Sequence, residues 1–372
     1  MTFHRYIHGF YFLFILAVFS TPRPAASATR HVPSEFPTIQ GAVDYSTPGD
    51  TVLITCDIYE ESEIILNPGI IIRGDGAAED CVIIDAQQSG RSFYCNDLIQ
   101  TVRIENLTIR AGSANTGGAI YCNNSSLHIT DCTFEQNTAV NGGAIWCNDS
   151  SPVISDCTFE QNTASGLGGG LYFQQDSAPV FADCLFYENT AGSGGGIFFN
   201  TTLEAEIVDC TFSKNNSVNW GGGIATGNVA PVVTNCTFYR NSGTEGSGIM
   251  VLSSGHLRLN NSIIGYGTGA GKAVECRGSA IATLTCCDVY GNSGGDYAGC
   301  IGNQNGLDGN ISASPVFCDM ANNDLTLRID SKCAPYSLPN SQCALIGAWP
   351  VRCNIPNPVH ISTWGSIKAL YK

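Results

Sequence analysis

The sequence predicts an all-β solenoid of stacked parallel coils, and three observations predict it. A block of aliphatic-x-Asp/Asn-Cys-Thr/Leu-Phe-x-x-Asn, followed by a polar stretch, a glycine cluster and Ile, recurs every 25 to 27 residues and ends at Asn137, Asn162, Asn189, Asn215 and Asn241. A unit this short has no opposing layer to bury an apolar face against, so it must stack on its neighbours. Each unit carries Gly-Gly, Asn and β-branched residues where a helix would need an apolar stripe, which leaves short strands joined by turns. One coil of three strand segments adds about 4.8 Å of height, and the length allows roughly ten coils.

At the start, His4 and Arg5 precede an apolar run over residues 9–20, and Ala26-Ser27-Ala28 has the small-x-small pattern of an export signal. Cleavage is expected after Ala28, and no later stretch approaches the roughly eighteen apolar residues of a membrane span, so the mature chain is expected to be soluble or peripheral. The chain has 17 basic and 32 acidic side chains, a net charge of −15, and loss of Arg5 and Arg23 with the signal makes it −17. Nucleic acid and anionic membrane faces are poor partners for such a surface.

Residues 38–44, TIQGAVD, read as a short capping helix after Pro37, and Pro48-Gly49-Asp50 turns into a strand over 51–55. The expected layout is a signal over 1–28, a coil with its N-terminal cap over 29–317, a cysteine-rich cap over 318–353 and an amphipathic tail over 354–372. Within the coil, the Cys positions form a ruler: Leu107, Cys132, Cys157, Cys184, Cys210, Cys236, Ser262 and Cys287. The aliphatic residues three before it (Ile129 and Ile154 among them) and the aromatics two after it (Phe134, Phe159, Phe186, Phe212, Phe238) are expected to point inward. The Asn column, which also takes in Asn292, is expected at a sharp bend, where Asn tolerates the left-handed conformation and stacked amides bond from coil to coil. The clusters at Gly142, Gly168, Gly194 and Gly221 mark a second bend that needs positive φ or close backbone approach.

The eighteen cysteines fall into two populations. Those on the ruler have parallel Cβ vectors, poorly placed for bonding, and are expected to be free stacked thiols. Cys300, Cys318, Cys333, Cys343 and Cys353 lie where the repeat decays, and are expected in disulfides of unreadable connectivity that clip the far end. Zinc is the competing reading, against which stands the absence of Cys-x-x-Cys pairs.

Residues 36–54, FPTIQGAVDYSTPGDTVLI, resemble the opening of secreted right-handed parallel β-helix proteins of the pectin-lyase-like class. GGAIYC and GGAIWC, each followed by CTFxxN, resemble the repeats of polymorphic outer-membrane and autotransporter-like bacterial surface proteins. The resemblance covers residues 30–350 and implies the fold, which hosts lyases, hydrolases, esterases, adhesins and inert rods. The Gly-His-Gly of polygalacturonase-like hydrolases is missing, since neither His128 nor His256 lies between glycines, and in place of their Arg-Ile-Lys stands only Ser366-Ile367-Lys368 in the tail. Esterase signatures are absent as well.

Lyase chemistry asks only for calcium beside a uronate carboxylate and a basic residue. The acid column Asp131, Asp156, Asp183 and Asp209, with Lys214 or Arg240 as base, is the one arrangement that could serve it. Against this, Asp replaces Asn at an exposed bend, as Asn235 shows one coil on, and Glu188 with Lys214 makes an ordinary ladder pair. His128 and His256 read as solvent-facing strand residues. Trp146, Tyr172 and Phe198 follow the glycine bend in successive coils; outward they make a sugar platform, inward they are core, and although alternation from Ile145 points Trp146 outward, an easy flip at the bend leaves both open. In the tail, Trp364, Ile367 and Leu370 recur at helical spacing with Lys368 and Lys372, as in a sorting or docking peptide or a lightly docked end.

The sequence therefore reads as an exported bacterial-type repeat protein, secreted or surface-associated, with a structural or glycan-binding, adhesin-like role and a polysaccharide or envelope component as partner. No catalytic motif and no resident metal site is found, calcium remaining open, and oligomeric state is unreadable. The alternative is a calcium-dependent lyase of acidic polysaccharide.

Overall fold

The computed structural model describes residues 27–76 and 81–353. The amphipathic tail and all but the last two residues of the expected export signal lie outside the described residues. Strands stack into parallel sheets of eleven, ten, nine and five members, so the longest stack has one strand more than the ten coils expected.

One coil shows the logic. Leu127–Thr130 belongs to the eleven-stranded sheet, Thr133–Glu135 to the ten-stranded, Thr138–Asn141 to the five-stranded and Ile145–Asn148 to the nine-stranded sheet. The chain then returns at Val153–Ser155, where Ile154 pairs beside Ile129 one coil along. Three of the bends repeat one device, a residue in the left-handed region followed by an inward side chain that binds main chain. The pairs are Asp131 (φ 51°) with Cys132, Gln136 (φ 55°) with Asn137, and Asp149 (φ 47°) with Ser150.

This corrects the reading of the Asn column. The left-handed conformation falls on the exposed or half-buried residue before each Asn, namely Gln136, Gln161, Glu188, Lys214 and Arg240. The Asn itself is buried and forms the amide ladder: Asn162 accepts from Asn137, and Asn189 from Asn162, through both backbone and side-chain N–H at 3.0 Å. Each amide also donates to a carbonyl of the preceding coil, such as Asn189 Nδ2 to Phe159 O at 2.8 Å. The bend thus satisfies its own main chain without water.

The inward columns are as expected. Phe134, Phe159, Phe186, Phe212 and Phe238 stack with centroids 4.5–5.0 Å apart and planes within 7° of parallel. The ruler cysteines are free and buried, each thiol lying against the carbonyl two residues back, as Cys157 does with Ser155 at 3.0 Å. Ser262 takes the same position because its hydroxyl repeats that bond, to Asn260 O at 2.7 Å. A second inward thiol column, Cys95, Cys122 and Cys147, runs in register in the nine-stranded sheet. Both glycine requirements also occur. Gly142, Gly168, Gly194 and Gly221 have φ of 61–67°, and a Cβ on Gly143 would stand 2.1 Å from Gly169 O and 2.9 Å from the Thr163 main chain.

At the N-terminal end, helix Ile39–Asp44 is capped by Thr38, whose hydroxyl accepts from Gly41 N, and the strand Thr51–Thr55 follows as expected. The Glu61 carboxylate accepts from the first two helical N–H groups, Ile39 and Gln40.

The far end is closed in two parts. The last coil is closed by residues 296–312, including the 3-10 turn Gly299–Ile301, where Ile301 enters the core and Gln304 bonds Leu284 N and Ala282 O. The cysteine-rich segment that follows folds back along the outer face of the ten-stranded sheet. Asn323 Nδ2 meets the Tyr187 hydroxyl at 3.3 Å, Trp349 Nε1 meets Thr211 Oγ1 at 2.8 Å, and Ala348 and Gly347 N–H meet Thr237 Oγ1 and Asn261 O. The cause is apolar: outward Tyr239 and Ile263 need cover, and Phe317, Leu325, Leu327 and Ile346 supply it.

Four disulfides form: Cys56–Cys81, Cys276–Cys300, Cys286–Cys343 and Cys318–Cys353. Cys333, expected in a disulfide, is a free buried thiol 3.0 Å from the Asp288 carboxylate. The clips also reach coil residues Cys276 and Cys286, which their spacing alone did not mark. Among the described residues, no helix is long and apolar enough to cross a membrane.

Candidate functional site

The acid column and the basic residues do not share a groove. Asp131, Asp156, Asp183 and Asp209 all have φ of 51–53°, and Asn235 and Asn261 continue the position at 53° and 45°. Backbone conformation accounts for Asp here, since Asp and Asn tolerate the left-handed region. Lys214 and Arg240 occupy the next bend, beyond the strand Thr211–Ser213, so Asp209 and Lys214 are roughly 12–16 Å apart along extended chain.

Lys214 is engaged locally. Its Nζ donates to the Tyr187 hydroxyl at 3.0 Å, lies 3.6 Å from Glu188 and sits over the Tyr187 ring, while Arg240 lies over Tyr239. Burial works to raise the Glu188 carboxyl, but hydrogen bonds from Tyr187 and Gln161 and the Lys214 charge leave it below the ordinary range. The neighbouring Glu160 is raised by burial and by the charges of Glu135 and Glu188. His128 is exposed on its strand, and His256 is exposed with its ring nitrogen 2.9 Å from Thr283 Oγ1. Among the described residues, no group of three or more His, Cys, Asp or Glu is placed to hold a metal ion.

The aromatic column takes a third form between the two foreseen. Ile145 enters the coil interior while Trp146 points outward, yet Trp146, Tyr172 and Phe198 are only 8%, 5% and 6% exposed. They build a separate outer cluster with Ala225 and Met250, flanked by Leu167 and Trp220. The column continues toward the N-terminal end, where the rings become half-buried: Tyr94 stacks on Tyr121 at 4.9 Å and Tyr121 on Trp146 at 4.7 Å. Arg91 lies over Tyr121 and Tyr94.

Two residues along the same strands a second row points outward. Asn123 donates to Asn96, Asn148 to Asn123 and Gln174 to Asn148, each at 2.9 Å. Asn148 also donates to Asp149 and Asn96 to Asp97, so what the half-buried row retains at regular spacing is chiefly the second lone pair of each amide oxygen. The signal was in the sequence, as the period-two partners in FYCN, IYCN and IWCN, but the glycines preceding them drew the reading instead.

Among the described residues Asp288 is the one strongly perturbed carboxyl, fully buried under the fold-back segment and pushed up to about 7 by burial. It accepts from Ala313 N and the Cys333 thiol, with Asp296 as the nearby acid charge. The folded chain therefore takes up this proton as pH falls through 7, while the unfolded chain waits until about 3.8. This group's contribution is full below about 3.8 and is lost as pH rises through 7. Asp288→Asn is expected to remove that downward slope with pH, measured as urea midpoints between pH 4 and 8; an unchanged slope would place the proton elsewhere.

A family model described as right handed beta helix region matches residues 47–192 and 165–312. No curated protein and no solved structure matches the chain.

Proposed function

The chain belongs to the right-handed β-helix family, and from that premise we propose that it is an exported, surface-associated or secreted rod that binds a neutral glycan along the outer face of its nine-stranded sheet. The observation that carries the reading is the paired strip of half-buried Tyr94 and Tyr121 beside the amide row Asn96, Asn123 and Asn148. Ring faces suit the apolar faces of sugars, and amides suit their hydroxyls. The strip repeats at the strand spacing, so a polymer would meet the same contacts in successive coils. A net charge of −15 disfavours acidic polymers and favours a neutral one.

Four disulfides support an oxidising compartment outside the cytoplasm. The likeness of the repeats to autotransporter-like surface proteins supports a place on the bacterial envelope. The lyase alternative asks for a base beside the acid column, and the separation of Asp209 from Lys214 argues against it.

Tyr121→Ala tests the strip. Binding to a neutral polysaccharide found on a glycan array is expected to weaken at least about tenfold, with the circular dichroism spectrum unchanged. Absence of binding by the parent protein, or equal binding by the variant, would sink the glycan reading.

A further inference from the structure

Residues 317–353 bury an apolar patch against the ten-stranded sheet, but the polar part of their seat is poorly satisfied. Beneath them Tyr187, Ser213 and Tyr239 follow one another in register on outward positions of successive coils. Ser213 and Tyr239 are fully buried, yet neither hydroxyl has a hydrogen-bond partner. On the segment itself, Asn323 Oδ1 and both side-chain polar atoms of Asn340 are shut from water and equally unpartnered. Native contacts normally satisfy such groups, because each one left alone forfeits its bond to water. The apolar gain of docking is thus offset by five stranded polar atoms.

Attachment is concentrated at one place. Besides the chain itself, the Cys286–Cys343 disulfide is the covalent link to the coil, since Cys318–Cys353 closes within the segment. Two residues after Cys286, Asp288 is fully buried and accepts from Ala313 N and from the Cys333 thiol, each at 3.0 Å. The other titratable groups that face it are Cys287, Asp296 and Tyr297, and none is a cation. Burial pushes the Cys333 thiol and the Tyr297 hydroxyl up, so both keep their protons through neutral pH. An ionised Asp288 therefore has no counter-charge in the seat.

We propose that residues 317–353 form a strap latched by the proton of Asp288: the strap seats while that carboxyl is neutral and lifts, still tethered at Cys286–Cys343, once it ionises. Lifting hydrates the stranded polar atoms and uncovers a face that carries Thr211, Ser213, Thr237 and Tyr239. The sign follows from the two environments of the carboxyl. Seated, it titrates at about 7; lifted into water, near 3.8. Seating is therefore tightest below 3.8, weakens as pH rises and levels off above 7.

Hydrogen exchange on the disulfide-intact chain tests this at the Gly347 and Ala348 amides, which donate to Asn261 O and Thr237 Oγ1 on the coil. Their protection, corrected for intrinsic exchange, is expected to fall at least about tenfold from pH 5 to pH 8, while amides of residues 93–160 hold theirs. Asp288→Asn is expected to abolish that fall. Tyr239→Phe removes one stranded hydroxyl and is expected to raise protection of the same two amides several-fold at both pH values. Constant protection in the parent protein overturns the proposal, as does an equal fall over 93–160 or a fall that survives in Asp288→Asn. Equal or lower protection in Tyr239→Phe overturns it too, and that variant with the parent decides the matter if Asp288→Asn fails to fold.

Discussion

Asn189→Ala is expected to destabilise the rod by about 3–5 kcal/mol, more than any other truncation of similar size in the coil. The side chain sits in mid-ladder, fully buried. Its oxygen accepts from the backbone and the side chain of Asn162, and its nitrogen donates to Phe159 O and Asn215 Oδ1. Alanine would leave a buried backbone N–H and a buried carbonyl without partners, each at about 1–3 kcal/mol, and would strand the Asn162 amide. The substitution also interrupts a column that continues through Asn215 to Asn241, so repair by local shift would have to propagate. Urea unfolding followed by circular dichroism measures it. A loss below about 1 kcal/mol would mean that water enters the bend and replaces the amide.

Gly168→Ala is the second large effect, expected at about 3–4 kcal/mol. Two penalties add. The residue sits at φ 67°, where an L side chain is strained by about 1–2 kcal/mol. The new Cβ would also stand 2.1 Å from Leu171 O and 3.0 Å from the Cβ of Tyr172, and a main-chain carbonyl cannot rotate away. Gly306 provides the internal comparison, with φ 79° but nothing within 4 Å of its Cβ position. Gly306→Ala is expected to show the conformational strain alone, near 1 kcal/mol. Equal losses at both sites would show that packing at the glycine bend contributes nothing.

The coil was legible in the sequence because a solenoid writes each structural position once per period. Ile129, Cys132 and Phe134 recur in register, and so do their burial and their neighbours. What period alone could not assign was the division of labour at a bend. Asn137 looked like the left-handed residue, yet Gln136 adopts that conformation because the amide is needed inside. Alternation favoured Trp146 outward but a flip at the bend left both orientations open, and its burial was not legible at all, since cover comes from Leu167 and Trp220 on other segments. The fold-back of residues 317–353 was the least legible feature. It has no repeat, and its footprint is spread over outward positions such as Thr211, Tyr239 and Ile263, which read as ordinary strand residues until something lies on them.

That fold-back changes how the rod comes apart. A solenoid whose coils touch only their neighbours behaves as a one-dimensional chain, fraying from either end in small steps. The segment that meets Tyr187, Thr211, Thr237 and Asn261 spans four successive coils and is bolted to the coil at Cys286. The C-terminal part is thereby coupled into a single block that must open together, while the coils before it retain independent local opening. The molecule is a graded spring at one end and a rigid plug at the other.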